Sequence, residues 1–146
     1  MRFGLCDDQN GTAAYIDTEN SNKWIATVIN EKNIPLIFTV IDKGVIKDSE
    51  EPDRGRCDCM LTSKEHLFFV ELKNKKPTWQ IETIEQLEST IKFFIANHDS
   101  TGYRHKKAFG CNRKRPQFYV IESEIKARFY ELYKFRIDLQ GEIKFP

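Results

Sequence analysis

Asp58, Glu71 and Lys73 stand out because they are charged residues within two apolar runs that flank the polar segment 62–66. The two runs predict a hairpin of buried strands. Side chains alternate along a strand, so Glu71 and Lys73 share one face, and both faces of their strand are apolar. Burying an ion costs several kcal/mol unless it is paired or binds a metal. If Asp58 lies on the same face, two carboxylates converge beside one lysine.

Two carboxylates beside a lysine suit metal-assisted hydrolysis of a phosphate ester. Hard divalent cations such as Mg²⁺ prefer carboxylate oxygens and keep several waters, and a bound cation acidifies water and stabilises charge on a phosphate. A lysine with an ordinary pKa of about 10.4 is a poor base, so Lys73 would act through its position and charge. The alternative is a partly buried salt bridge or a charged edge strand, because Glu-x-Lys triplets are common.

The order Asp58, twelve residues, then Glu71-Leu72-Lys73 resembles the core motif of the restriction-endonuclease-like PD-(D/E)XK superfamily. The resemblance implies that Asp58 and Glu71 bind Mg²⁺ or Mn²⁺, that the Leu72 carbonyl adds a ligand, and that Lys73 orients or activates the attacking water. Many members carry a Gln on the helix after this strand, and Gln86 fills that place. The implied catalytic residues are Asp58, Glu71, Lys73 and Gln86.

The predicted elements around the motif follow the order of that superfamily's core. Apolar periodicity predicts a helix over 21–30, a strand over 35–42, the hairpin over 56–73, a helix over 79–97 and a strand over 106–112. We therefore expect an α/β fold with a mixed α+β sheet, in which an αβββαβ core covers about 21–112. A C-terminal extension, 113–146, is predicted to add a helix over 122–134 and a hairpin of 135–139 with 142–145. A short hairpin is also predicted around Asn10-Gly11.

The acidic residue that the superfamily usually places on its first helix is missing from 21–30. Glu19 and Glu31 flank that segment, and Glu51 or Asp53 in the acidic loop 44–54 could supply the carboxylate. Acidic clusters in loops are usually only solvated. The identity of a third metal-binding carboxylate therefore stays open.

Positive charge is concentrated between Thr101 and Val120, where there is no Asp or Glu. The six cations of this run predict a nucleic-acid-binding surface: Arg104, Lys106, Lys107, Arg113, Lys114 and Arg115. A solvated face is the ordinary interpretation of such a run. Two features favour binding: the strand 106–112 is expected to end near the carboxylates, and the rings of Tyr103 and Phe118 could stack on bases.

Composition limits the class of protein. A chain of 146 residues with 40% apolar residues suits one domain, 1–146, around a single core, and the net charge of +1 identifies no partner. There is no apolar run long enough for a signal peptide or a membrane span, so we expect a cytoplasmic protein without membrane association. The four cysteines match no zinc pattern, which predicts structural thiols.

Three hypotheses follow. The first is a nuclease that cuts DNA or RNA with Mg²⁺ or Mn²⁺, of the kind common in host-defence and mobile-element systems; so small a domain would take its specificity from nucleic-acid structure, a homodimer or a larger protein complex. The second is a catalytically inactive nuclease-fold subunit that binds nucleic acid or protein. The third is an unrelated α/β interaction or immunity-type protein in which Glu71 and Lys73 form an internal ion pair. Metal binding separates the first hypothesis from the others.

Overall fold

Short apolar strands and two helices build a single α+β domain in the residues that the computed structural model describes, 1–41, 57–74, 78–113 and 119–146. The elements in these ranges are β1 (Arg2–Cys6), β2 (Tyr15–Asp17), a 3-10 helix (Ser21–Lys23), β3 (Ala26–Asn30), β4 (Ile37–Val40), β5 (Cys59–Thr62), β6 (His66–Lys73), α1 (Trp79–Asn97), β7 (His105–Asn112), α2 (Ser123–Tyr133), β8 (Arg136–Leu139) and β9 (Glu142–Phe145). No helix in the described part of the chain is long and apolar enough to cross a membrane.

The charged motif lies in a five-stranded mixed sheet with the strand order β4-β5-β6-β7-β8. Strands β4, β5 and β6 pair antiparallel, whereas β6, β7 and β8 run parallel. Parallel neighbours need a crossover, and α1 lies on the connection from β6 to β7. All eight residues of β6 are buried, which confirms the predicted hairpin of buried strands.

Both faces of this sheet are covered by other elements. Helices α1 and α2 pack against the face that carries Leu67 and Phe69. The opposite face, with Phe68 and Val70, packs against a four-stranded sheet of order β2-β1-β3-β9. Across that interface the rings of Phe68 and Phe145 stack 4.6 Å apart. The domain therefore has three layers: helices, the five-stranded sheet and the four-stranded sheet.

The helix predicted over 21–30 is wrong. A short 3-10 helix is followed there by β3, which lies between β1 and β9. Alternate residues of β3 are buried, and its β-branched residues favour extended backbone over helix. The αβββαβ core predicted for 21–112 therefore lacks its first helix, while β4, β5, β6, α1 and β7 follow in the predicted order.

The predicted C-terminal hairpin is also wrong, although both of its strands exist. Strand β8 joins the five-stranded sheet parallel to β7, and β9 joins the other sheet parallel to β3. The two linking residues hold the strands apart: the Gln140 N–H donates to the Gly110 carbonyl, and the Gly141 carbonyl accepts from the Thr27 N–H. Ile143 and Phe145 are thereby buried between the two sheets.

Several other predictions are confirmed. The N-terminal hairpin forms from β1 and β2, and the helices predicted over 79–97 and 122–134 correspond to α1 and α2. The strand predicted over 35–42 is β4, a shorter segment. All four cysteines are buried free thiols: Cys6, Cys57, Cys59 and Cys111. The acidic loop 44–54, with Glu51 and Asp53, and the residues Lys114, Arg115 and Phe118 lie outside the described residues.

Candidate active site

The pairing of β5 with β6 brings Asp58 and Glu71 together. Cys59 is the register partner of Val70, and the Asp58 N–H donates to the Val70 carbonyl at 3.1 Å, so Asp58 lies level with Glu71. The Asp58 Oδ2 atom accepts a hydrogen bond from the Leu72 N–H at 2.6 Å, where the backbone ladder ends. The predicted convergence of the two carboxyl groups is therefore present.

The proximity of these two acids changes the charge of the site. Burial, the charge of Glu71 and the hydrogen bond that protonated Asp58 can donate to Glu71 together raise the pKa of Asp58 from 3.8 to about 10, although the Leu72 N–H opposes this shift. At neutral pH the pair consequently holds one proton, which lies between two carboxyl groups that would otherwise repel each other. A divalent cation could take the place of that proton.

Lys73 is held as a cation between two acids. Its Nζ atom lies 2.9 Å from Glu71 Oε2 and 3.0 Å from Glu82 Oε1. Burial alone would lower the Lys73 pKa, but the two ion pairs outweigh burial and raise it above 10.5. Lys73 therefore keeps its proton at neutral pH and is unsuited to act as a general base.

One face of α1 lies over the carboxylate pair. Glu82, Gln86 and Thr90 are spaced four residues apart and so share that face. Glu82 contacts Lys73 at one end of the row, and Thr90 Oγ1 accepts a hydrogen bond from the Cys57 N–H at 2.7 Å at the other end. Gln86 lies between them, and its Oε1 atom is buried without a hydrogen-bond partner in the part of the chain that the structure describes.

The loop after β1, a strand of the four-stranded sheet, contacts the end of β6 beside the carboxylate pair. Gln9 Nε2 donates a long hydrogen bond of 3.4 Å to the Leu72 carbonyl, and the Gln9 N–H donates to Asp7 Oδ1 at 2.8 Å. The charge of Asp7 is a further, smaller cause of the raised Asp58 pKa. Asp7, in the loop after β1, thus acts on the carboxylate pair, whereas Glu19 and Glu31 are exposed in the segments that follow β2 and β3.

The metal-binding capacity of the site rests on few ligands. Asp58 and Glu71 present two carboxyl groups. The Leu72 carbonyl points to the same side of β6 as the Leu72 N–H, which donates a hydrogen bond to Asp58. Within residues 1–41, 57–74, 78–113 and 119–146 there is no group of three or more His, Cys, Asp or Glu side chains that could hold a metal ion. Mg²⁺ is commonly bound by one or two carboxylates with several waters, and this donor set fits that mode.

The described residues of the predicted basic surface lie at the two ends of β7. Arg113 lies at the carboxylate end, where its N–H donates to the Lys73 carbonyl at 2.9 Å and its guanidinium donates to the Asn22 carbonyl. Arg104, Lys106 and Lys107 lie at the opposite end of the strand. Among the cations of the run that the structure describes, Arg113 is the one at the carboxylate end of β7.

Sequence reasoning missed Glu82, Asp7 and Gln9. Glu82 could have been found, because it precedes Gln86 by four residues and therefore shares its helix face. No local signal pointed to Asp7 or Gln9, since their approach to Asp58 and Leu72 depends on how two sheets pack.

Comparison of the chain with protein-family models, with curated proteins and with solved structures found no match. The chemistry of the site is therefore argued from its geometry and charges.

Proposed function

We propose that this protein is a metal-dependent nuclease that hydrolyses phosphodiester bonds of DNA or RNA. One observation carries the proposal: Asp58 and Glu71 are two buried carboxyl groups that lie level on neighbouring strands, and Glu71 is ion-paired to Lys73. A structural ion pair would need only one acid for the lysine. The second carboxyl group adds repulsion that a purely structural site would avoid, whereas a divalent cation would use both.

Each residue of the site has a role that its contacts support. Asp58 and Glu71 would bind Mg²⁺ or Mn²⁺ after loss of the shared proton, and the Leu72 carbonyl could join them if Gln9 released its long hydrogen bond. The bound cation would supply an acidified water and neutralise phosphate charge. Lys73, kept protonated by Glu71 and Glu82, would stabilise the negative charge that develops at the phosphate.

Gln86 would position the attacking water. Its buried Oε1 atom can accept a hydrogen bond, and the described residues provide no donor for it. A water at the carboxylate pair would satisfy this oxygen, which removes the cost of leaving a buried acceptor unpaired. The element order from β4 to β7 supports the same interpretation, because it matches the βββαβ part of the core expected from the resemblance.

A catalytically inactive subunit with the same fold is the second candidate. It is favoured by the two-carboxylate donor set, to which the described residues add no third His, Cys, Asp or Glu side chain, and by the ion pair that ties Lys73 to Glu82. Such a subunit would bind nucleic acid or protein without turnover. A host-defence or mobile-element role, in a homodimer or a larger complex, would suit either candidate.

Calorimetry with Mn²⁺ and a plasmid-nicking assay test the proposal together. We expect the wild type to bind Mn²⁺ and nick DNA or cut RNA, and Glu71→Gln and Asp58→Ala to lose both activities. Glu88→Gln is the matched control, because Glu88 is also an ion-paired acid but bonds Arg128 and Tyr133 on α2.

The outcomes separate the candidates. Undiminished cleavage by purified Glu71→Gln would refute the catalytic assignment. Mn²⁺ binding without cleavage of any DNA or RNA in a broad panel would favour the inactive subunit, and absence of Mn²⁺ binding would leave Glu71 and Lys73 as a structural ion pair.

A further inference from the structure

A basic cavity of about 390 Å³ opens at the N-terminal end of β7, away from the carboxylate pair. Tyr103 and Tyr130 contribute rings to its wall. Five of its lining side chains are cationic, and they come from three elements and their adjoining turns: Arg104, Lys106, Lys107, Lys134 and Arg136. The lining includes no acidic side chain of the described residues. We call this cavity the basic pocket.

The fold places these cations together at an energetic cost. Lys107 is the register partner of Arg136 on the neighbouring strand, and like charges side by side in a sheet are destabilising. The Lys106 ammonium group lies 6.0 Å from the Phe135 ring centre on the helix side of the sheet, and the Lys107 ammonium group lies 6.0 Å from the Phe68 ring centre on the opposite side, so the two lysines reach the basic pocket from the two faces of β7. A bound anion would offset the repulsion that the fold leaves in place.

The aromatic wall points to the chemistry of the anion. Tyr130 is 48% exposed, and the Lys134 Nζ and the Arg136 guanidinium lie over its ring, 5.4 Å and 5.3 Å from the centre. When a cation moves from the ring to a phosphate, the exposed ring can stack on a base. An acidic protein segment would use the cations but would not need the ring, so nucleic acid is the favoured ligand.

The basic pocket and the carboxylate pair lie at opposite ends of the same strands. His66 pairs with His105 at the pocket end of β6 and β7, and Lys73 pairs with Asn112 at the carboxylate end. Seven steps of about 3.3 Å separate these ends by roughly 23 Å. At a rise of about 3.4 Å, roughly seven nucleotides would span that distance.

We propose that the basic pocket is a second nucleic-acid contact, which binds backbone phosphates and one stacked base without a divalent cation. It would anchor a strand several nucleotides away from the phosphate held at Asp58 and Glu71. The choice of nucleic acid as ligand rests on the proposed function, whereas the capture of an anion in the pocket does not.

Binding of a labelled twelve-nucleotide single-stranded DNA, measured in EDTA, tests the pocket without metal. The double variant Arg104→Gln with Arg136→Gln removes two exposed cations of the pocket, and Arg2→Gln with Lys32→Gln removes two exposed cations elsewhere. If each pocket cation neutralises one phosphate, the log-log salt slope falls by about 1.4 and affinity at 0.1 M salt falls about 25-fold. The control pair should keep the wild-type affinity and slope.

A second variant separates nucleic acid from an acidic protein. Tyr130→Leu should weaken DNA binding about fivefold or more, because a base loses its stacking partner, and should leave binding of a poly-glutamate peptide unchanged. Equal DNA affinity and salt slope in the pocket double variant and in the control double variant would overturn the proposal. If the pocket double variant loses binding of poly-glutamate but keeps binding of DNA, the partner is an acidic protein and the proposal is also overturned.

Binding of Mn²⁺ to the wild type, measured beside binding of DNA in EDTA, separates this proposal from the proposed nuclease function. If the double variant Arg104→Gln with Arg136→Gln binds DNA as the wild type does, and Mn²⁺ still binds the wild type, only the pocket proposal fails. If Mn²⁺ does not bind the wild type but the double variant loses DNA binding, only the nuclease proposal fails.

Discussion

Asp58 determines the charge of the metal-free site because it shares a proton with Glu71. Burial and the neighbouring carboxyl group raise its pKa from 3.8 to about 10. Between these two values the folded state holds a proton that the unfolded state has released. The contribution of this group to the free energy of unfolding is therefore fully present below pH 3.8, and it is lost as the pH rises toward 10.

Removal of the titrating group should therefore flatten the pH dependence of stability. In EDTA, we expect wild-type unfolding free energy to fall from pH 5 to pH 9, with this group contributing at most about 1.4 kcal/mol per pH unit. Asp58→Asn should lose that contribution, and Asp138→Asn, a half-buried acid on β8, should keep the wild-type slope. Urea unfolding at several pH values measures the effect. The same slope in Asp58→Asn and wild type would contradict the shared proton.

Lys73→Met should separate fold stability from turnover. The substitution leaves Glu71 buried without its lysine, which costs about 3–5 kcal/mol for a buried pair. Saturating Mn²⁺ would neutralise Glu71 and should raise the melting temperature of Lys73→Met more than that of the wild type, yet cleavage should remain lost. Lys92→Met, on the exposed side of α1, is the control. Retained cleavage in Lys73→Met would remove the lysine from the proposed chemistry.

At the scale of elements, α1 is tethered to both strands of the motif hairpin. Glu82 bonds Lys73 at the end of β6, and Thr90 bonds the Cys57 N–H just before β5. These two contacts hold Gln86 above the carboxylate pair. The Thr90 hydroxyl also donates to the Gln86 carbonyl at 3.1 Å, so one side chain links the helix backbone to the strand that carries Asp58.

Thr90→Val should cost stability because it leaves the buried Cys57 N–H unpaired, a loss of about 1–3 kcal/mol. Thr83→Val is the matched control: Thr83 is also buried on α1, but its hydroxyl donates only within the helix, to the Trp79 carbonyl at 2.7 Å. The control should cost less than about 1 kcal/mol. Urea unfolding compares the two variants, and equal losses would show that the tether to Cys57 contributes nothing.

At the scale of the whole molecule, the two sheets form one folding unit. Strands β8 and β9 are joined by two residues but belong to different sheets. Phe145 on β9 packs against Phe68 on β6, and both are buried in the core between the sheets. Neither sheet can keep this core without the other.

The two tryptophans test this unity because each reports one part of the molecule. Trp79 is buried beneath the helices, and Trp24 precedes β3, where its Nε1 donates to Asp17 at 2.8 Å. Single-tryptophan variants, Trp24→Phe and Trp79→Phe, should each unfold in one transition. Phe145→Ala should lower both midpoints equally, at a cost of about 3–5 kcal/mol.

Lys144→Ala, an exposed position on the same strand, is the control for Phe145→Ala and should shift neither midpoint. Equilibrium denaturation followed by fluorescence measures both probes. Separate responses of the two tryptophans to Phe145→Ala would show that the sheets unfold independently.

The sequence by itself determined the features that depend on local pattern. The hairpin with Asp58 and Glu71, helix α1 with Gln86, and the strand after it follow from apolar periodicity, which acts over a few residues. The alternation along β6 also placed Glu71 and Lys73 on one face. These local rules were sufficient to select Asp58, Glu71, Lys73 and Gln86 as candidate residues, but not Glu82, Asp7 or Gln9.

Only the tertiary structure decided the features that depend on distant partners. Segment 26–30 is a strand because β1 and β9 offer it backbone pairing on both sides, although its apolar spacing also fits a helix. Strand β9 does not pair with β8, because Ile143 and Phe145 are buried between the two sheets. Asp7 and Gln9 reach the site because the packing of the two sheets brings together residues that are far apart in the chain. The basic residues that the structure describes lie at two ends of β7 because an extended strand separates them.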